Sequence, residues 1–466
     1  MPGHISQRRP PRPPNGRGGG ARTRAQILGV LVPFLLVAAA CGHDESPEAT
    51  PPADTATTVS PPASDAVPGD LGSLKGLCGP GTPGPADARG VSGDTIRIGV
   101  LNDATSTISP GLGAIFVTVA EAFSSWCNQA GGINGRRIEI VARDAQITQG
   151  AGRIVDACQS DFMLVGGATP FDATTVAPRL ECGLGSIPAY AASPEATSAG
   201  LQALPTRTPS TQVNVALLRL LAGRYGDALH RIGILAADVP SLLAPAQSFE
   251  SAVPAAGGTV TSFQKLPLSV DNFRTFVQPL VGRAEALVPP PSDPTALFRA
   301  MNDVGYQPAL LLDPIGVRYT DQTITALAAS PVSAPFYLTP TIYPLDLAAD
   351  NPTLQRVLEI TEATGTDLPV DGGIVGPWAA WILFAQAATA CGADLTVDCV
   401  IAQATTETGY TAGGLVAPVD LSDPQAIGAC RVVISATVDG FTYDRELTRP
   451  TDGVYNCDPA NVVKLR

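Results

Sequence analysis

The sequence predicts an α/β protein built as two doubly wound, parallel-sheet lobes. Three observations predict it. From Asp94 onward, short β-rich runs alternate with stretches of helical spacing, the pattern of βαβ units and parallel sheet. The alternation falls into two series, one closing near Ala191 and the other opening after Pro209. A chain of 466 residues with 45% apolar content is also long enough to bury more than one core.

The elements follow in order. Ile96–Leu101 reads as the first strand, and Gly113–Gln129 as a helix whose Ile115, Val119, Ala122, Phe123 and Trp126 fall at helical spacing. Ile138–Ala142 is the second strand. Between helix and strand lies Gly131-Gly132-Ile133-Asn134-Gly135-Arg136-Arg137, with glycines that stop a helix and an Asn-Gly pair suited to a tight turn. The first series continues with a helix near Ala151–Cys158, a strand Phe162–Val165, a helix near Ala173–Glu181 and a strand around Ile187–Ala191. The second series reads as helix Val213–Tyr225, strand Arg231–Leu235, helix Ala244–Ala256, strand Thr259–Gln264, helix Asn272–Gly282, strand Glu285–Val288, helix Pro294–Gly305 and strand Leu310–Leu312. Val375–Ala390 is a strongly apolar helix, and Arg431–Val438 with Phe441–Tyr443 reads as a hairpin around Asp439-Gly440.

The first seventy residues are of another kind. Six arginines between Arg8 and Arg24 precede an apolar run, Ile27–Ala40, which ends in Ala38-Ala39-Ala40-Cys41. This is the layout of an export signal over residues 1–40. The run is shorter than the about 20 residues a membrane-crossing helix needs, and no later segment reads as long and apolar enough to span. Small residues before a cysteine resemble the bacterial lipobox, in which the thiol is acylated; Cys41 is then the anchor, and an ordinary secretory cleavage near Ala40 is the alternative. Residues 41–71, rich in Pro, Thr, Ala, Ser and Asp, read as a flexible tether.

Removing the leader takes away six arginines and no acid, so the formal charge moves from −13 to −19. An acidic body with no basic stripe argues against a nucleic-acid partner. Nine cysteines make one anchor and four pairs, Cys78, Cys127, Cys158, Cys182, Cys391, Cys399, Cys430 and Cys457, with connectivity open at this stage. A structural zinc site is disfavoured, because no Cys-x-x-Cys occurs and the only histidines are His4, His43 and His230. The same scarcity argues against Ser-His-Asp catalysis, and there is no Gly-x-Ser-x-Gly elbow, phosphate loop or dinucleotide fingerprint after the first strand. No enzyme, cofactor or metal is predicted.

Ile96-Arg97-Ile98-Gly99-Val100-Leu101, the segment Gly131–Val141 and Asp144 resemble the opening of type I periplasmic binding proteins, most closely the branched-chain amino acid receptors of ABC importers. The resemblance extends through Val165-Gly166-Gly167, Gly185-Ser186-Ile187-Pro188, Ala191-Ala192-Ser193-Pro194-Glu195 and Ala255-Ala256-Gly257-Gly258. It covers roughly Asp94 to Phe441. It implies two lobes joined by three hinge crossings, one lobe of residues 94–207 plus 344–417 and the other of 208–343 plus 418–457. Under that division, pairing Cys158 with Cys182, Cys391 with Cys399, Cys430 with Cys457 and Cys78 with Cys127 keeps every bridge inside one lobe and leaves hinge closure free.

The function this resemblance implies is capture of a small polar ligand, amino acid-like or amide-like, and its delivery to an ABC permease. The protein would be held at the outer face of the cytoplasmic membrane by the lipid on Cys41. A clamshell-fold sensor or scaffold lipoprotein is the alternative. Ligands of open α/β sheets sit beyond the carboxyl ends of the strands, which selects Thr105 and Ser106 after the first strand, Ala168, Thr169 and Asp172 after the third, and Ala191, Ala192 and Ser193 after the fourth. By resemblance the third and fourth loops would hold a ligand carboxylate through backbone N–H and hydroxyl groups. The second lobe would add Asp238 and Asp313, the latter near where amino acid receptors set an acid against the ligand ammonium, with Tyr343 as a pocket aromatic.

Two departures stand out: Phe171-Asp172 where relatives have a serine pair, and Pro289-Pro290-Pro291-Ser292-Asp293 where they commonly have an aromatic wall. Plainer roles compete for several residues. Thr105, Ser106, Asp172 and Asp238 suit helix capping, Asp313 before Pro314 suits a turn, and Trp378 and Trp381 suit a core.

Overall fold

A computed structural model describes residues 67–85, 87–208 and 211–465. The leader, Cys41 and the tether up to residue 66 lie outside the described residues. Leu71, read above as the tether's end, is fully buried in the first core, and Cys78 is bridged to Cys127.

The first series forms β1 (Thr95–Asn102), α1 (Ala114–Gln129), β2 (Arg137–Asp144), α2 (Gly150–Ser160), β3 (Met163–Val165), α3 (Ala173–Glu181), β4 (Gly185–Ile187) and α4 (Pro194–Thr197). Its strands make a four-stranded, all-parallel sheet in the order β2-β1-β3-β4. Alternation in β1 explains its place: Ile96, Ile98 and Val100 are buried, while Arg97 turns outward to Glu139 at 2.7 Å. Helix α1 buries Phe116, Val119, Ala120, Phe123 and Cys127, a stripe at helical spacing. After it, Gly132 takes φ +79°, where a Cβ would lie 2.0 Å from the Arg136 carbonyl oxygen, so only glycine closes this turn. Arg136 is itself buried and donates to the carbonyls of Ser92, Gly84 and Pro85, tying down the segment that leads into β1.

The second series forms β5 (Gln212–Asn214), α5 (Ala216–Leu229), β6 (Ile232–Ala237), α6 (Pro240–Ala252), β7 (Val260–Leu266), α7 (Arg274–Val277), β8 (Ala286–Val288), α8 (Pro294–Val304), β9 (Leu310–Asp313), α9 (Asp321–Ala329) and β10 (Phe336–Leu338). After these come α10 (Pro352–Glu362), α11 (Val375–Cys391), α12 (Val397–Ala404), β11 (Ile434–Thr437), β12 (Gly440–Tyr443), α13 (Arg445–Thr448) and β13 (Val462–Lys464). The second sheet runs β12-β11-β10-β9-β8-β6-β7, parallel from β7 to β10 and antiparallel for the hairpin β11–β12; β5 pairs with β13 separately. In each sheet the earliest strand, β1 or β6, has the next strand, β2 or β7, on one side and the one after that, β3 or β8, on the other. Loops leaving β1 and β3, and those leaving β6 and β8, therefore diverge around a crevice at the carboxyl edge.

Helices α10 and α11 return to pack on the first core, where Phe123 stacks on Trp381 and meets Trp378 edge-on. Trp378 and Trp381 are fully buried, as core residues are. The segment Gly372–Cys391 corrects one reading above: by length and composition it passes as a membrane span. Most of it is buried, which is how a core helix passes the same test. Four disulfides join Cys78 to Cys127, Cys158 to Cys182, Cys391 to Cys399 and Cys430 to Cys457.

The chain passes between the two cores near residues 205–208 and 211–212, near 339–343 and near 415–419. These passages are stitched together: Ala417 N–H donates to the Thr341 carbonyl (2.7 Å), Tyr343 N–H to the Leu415 carbonyl (2.8 Å), and Arg207 Nη2 to the Asp420 carbonyl (3.0 Å). Several element bounds differ from the sequence reading. The fourth strand ends at Ile187 because Pro188 has no N–H to extend the ladder. Residues 212–214 are strand, not helix, because they pair with Val462–Lys464 from the far end of the chain. The helix expected over Asn272–Gly282 reduces to Arg274–Val277 followed by a 3₁₀ turn containing Pro279.

Candidate functional site

The mouth of the first sheet is built by the loops after β1, β3 and β4. Gly167, at the end of β3, lies so close to β1 that a Cβ there would come within 2.3 Å of the Leu101 carbonyl oxygen, and this approach draws the loops after β1 and β3 together. The β3 loop then delivers Ala168, Thr169 and Asp172, all buried. Asp172 does not cap α3. Its Oδ2 instead reaches the β4 loop and accepts from the N–H groups of Ala192 (3.0 Å) and Ser193 (3.2 Å). Its Oδ1 is buried and accepts no hydrogen bond within the chain. Ser193 Oγ is committed elsewhere, capping α4 through Ala196 N–H (3.2 Å).

A small cavity of about 40 Å³ opens here, lined by Thr169, Asp172 and Tyr190 among others. The Thr169 side chain, in a residue 2% exposed, directs its hydroxyl at the Asp103 carboxyl. Burial pushes the Asp103 carboxyl above its ordinary value, partly offset by the hydrogen bond it accepts from Ile147 N–H. Tyr190 leaves 44% of its surface exposed and packs edge-on against Phe116, with ring centroids 5.7 Å apart. Its hydroxyl is pushed far up by burial and then by the nearby Asp103 and Asp172 carboxylates. Arg179 also lines the cavity, but its guanidinium donates to the carbonyl oxygens of Leu184, Leu201 and Gly200 and to Gln202 Oε1; burial lowers it to about 10.

The remaining candidates are placed apart from this cavity. Thr105 is exposed, with its N–H on Asp144 and its hydroxyl accepting from Gln146, and Ser106 Oγ accepts from the N–H groups of Ile108 and Ser109 in its own turn. Asp238 is exposed and lies 3.7 Å from Lys265. Asp313 is buried and closes its own turn: Oδ1 accepts from Ile315 (3.2 Å) and Gly316 (2.9 Å), and Oδ2 from Arg318 N–H (2.7 Å). Tyr343 lies on the second passage between the cores, half-buried, with its hydroxyl raised by burial and then by Asp350.

Three residues not singled out by the sequence reading matter at this crevice. Asp103 stood in the selected post-strand loop but was passed over for its hydroxyl neighbours. Arg318 is buried with Nε and Nη2 unpartnered, held near Asp313 and Asp293 and lowered to about 10 by burial. Ser241, in the first turn of α6, donates its hydroxyl to the Pro170 carbonyl and so joins the mouth of the second sheet to that of the first. A serine directly after Pro240 at the start of a helix was the available signal.

Two parallel sheets whose carboxyl-edge loops meet across a crevice, with the chain passing between them three times, define a two-lobed binding protein. The chain belongs to the periplasmic binding protein family, whose model matches residues 95–435, and it has the type I fold of that family of solute-binding proteins. Solved structures similar to it include a fatty acid ABC transporter substrate-binding protein from Thermomonospora curvata, at 17% identity and TM-score 0.66, covering 81% of this chain and 97% of that one. Another is an ABC transporter solute binding protein from R. palustris in complex with 4-hydroxybenzoate, at 18% identity and TM-score 0.61, covering 74% and 93%. A third is a branched-chain amino acid transporter substrate binding protein from Streptococcus pneumoniae in complex with isoleucine, at 14% identity and TM-score 0.59, covering 75% and 100%. No curated protein matches the sequence.

Proposed function

We propose that this protein is the extracytoplasmic receptor of an ABC importer. It captures a small polar solute between two lobes, residues 94–207 plus 344–417 and 208–343 plus 418–457, and presents it to a permease in the membrane. Cys41, acylated after removal of residues 1–40, tethers it to the outer face of the cytoplasmic membrane. The observation that carries this reading is the meeting of the two carboxyl edges through Ser241 and Pro170, at the place where α/β sheets receive ligands. The disulfides support it, since three join residues of one proposed lobe, the fourth ties Cys78, ahead of the first lobe, to Cys127 within it, and none links the two lobes.

One observation favours a second reading, a clamshell sensor or scaffold lipoprotein. The N–H groups of Ala192 and Ser193, expected to hold a ligand carboxylate, are already taken by Asp172. A thermal-shift screen of the purified, disulfide-intact protein against amino acids, amides, amines and organic acids separates the readings. A solute that binds only the folded state raises the melting temperature. A clear rise for one chemical class is the result expected of a receptor; a flat response across the panel favours the sensor or scaffold.

A further inference from the structure

We propose that the first-sheet mouth receives a cationic nitrogen group of the ligand, an ammonium or amidinium, on Asp172 Oδ1 and Thr169 Oγ1. The inference rests on the receptor reading and names the ligand class of that site. The two N–H donors of the β4 loop are consumed by Asp172 Oδ2, so an incoming carboxylate would have to displace Asp172 and then sit beside its negative charge.

What the mouth leaves open is acceptor capacity. Asp172 is 8% exposed and Thr169 2%, and both residues line the same cavity; Asp172 Oδ1 lacks a hydrogen-bond partner, and the Thr169 hydroxyl, directed at the Asp103 carboxyl, keeps acceptor capacity on its oxygen. The cavity's volume of about 40 Å³ is room enough for a small polar group. A buried carboxylate oxygen without a donor is costly, and a charged N–H donor is the partner that relieves the cost most strongly. Nothing in the chain already supplies it: among the described residues no ion pair reaches Asp172, and the guanidinium of Arg179 is committed to oxygens of Leu184 and residues 200–202. The other polar groups about the mouth, the Asp103 carboxyl and the Tyr190 hydroxyl, add negative charge and acceptor oxygens.

The test is calorimetric titration of the purified protein with ligand pairs of matched shape and opposite charge, n-butylamine against butyrate and benzamidine against benzoate. Asp172→Asn serves as the variant, because its amide oxygen still accepts from Ala192 and Ser193 while its NH₂ turns a donor toward the cavity. The expected result is binding of the cationic member of a pair, weakened at least tenfold in Asp172→Asn and severalfold in Thr169→Val. The second variant carries the test if the first fails to fold. Preferred binding of the carboxylates, or cation binding that neither variant weakens, overturns this inference and leaves the receptor reading intact. Silence from these pairs together with a flat solute screen overturns both.

Discussion

Two buried aspartates, one at the mouth of each sheet, are wired in opposite ways. Asp313, after β9, turns back on its own loop, where three N–H groups saturate both oxygens. Asp172, after β3, spans to a loop twenty residues further on and uses one oxygen there, leaving the other buried without a donor beside a small cavity. Both carboxylates are buried, but all of Asp313's hydrogen bonds come from its own loop, and burial still holds its carboxyl above the ordinary value, whereas Asp172 keeps one oxygen without a donor. A carboxylate closed into its own turn serves the fold; one with an oxygen left over is available to a ligand.

This contrast can be broken at several points. The largest effect is expected for Asp313→Ala, which leaves three N–H groups, one buried and two part-buried, without their acceptor and removes a carboxylate acting on the buried Arg318 guanidinium. Each donor left without its acceptor costs about 1–3 kcal/mol, read as a fall in the denaturation midpoint with ligand affinity of the folded fraction unchanged. Asp172→Ala removes two hydrogen bonds and should cost about 1–3 kcal/mol. It should also free the Ala192 and Ser193 N–H groups, so that carboxylates gain affinity relative to amines in a competition titration. If the two variants are equally destabilising and neither alters ligand preference, the distinction between them fails.

Ser241→Ala tests the link between the mouths. Losing its bond to the Pro170 carbonyl should cost about 0.5–1.5 kcal/mol, read as a small fall in melting temperature, and speed ligand release in stopped-flow displacement. The smallest effect concerns Asp103. Its folded-state carboxyl is raised by burial, so the folded protein holds this proton over a window just above the ordinary carboxyl value, and the residue's contribution to stability falls as pH rises through that window. Asp103→Asn keeps an acceptor for Ile147 N–H and removes the charge. Melting curves should therefore show the variant gaining on the wild type at pH 7.5 and matching it at pH 3.

Much of this fold is legible locally. The alternation in β1, the stripe on α1 and the Gly131–Arg137 segment declare themselves because their periods and φ requirements are written in consecutive residues. Elements such as β10 and β5 are not legible in that way: Phe336-Tyr337-Leu338 is too short to show a period, and Gln212–Asn214 becomes strand only because the chain's end pairs with it. The site divides along the same line. Asp172 is conspicuous in the sequence as an acid in the β3 loop, but its partners lie in another loop. Whether a carboxylate caps its helix, closes a turn or bridges two loops depends on geometry that no spacing encodes. Thr105, Ser106 and Asp313 took the local roles of turn and loop residues, and Ser241 and Arg318 acquired theirs only once the two sheets were assembled.

The central claim is that two lobes close on a small solute. Small-angle X-ray scattering of the purified protein, recorded without and with a saturating concentration of the solute found in the screen, tests it most directly. The account predicts a smaller radius of gyration in the bound state, reversed when the solute is dialysed away. Scattering curves that superimpose although calorimetry shows the solute bound would contradict it.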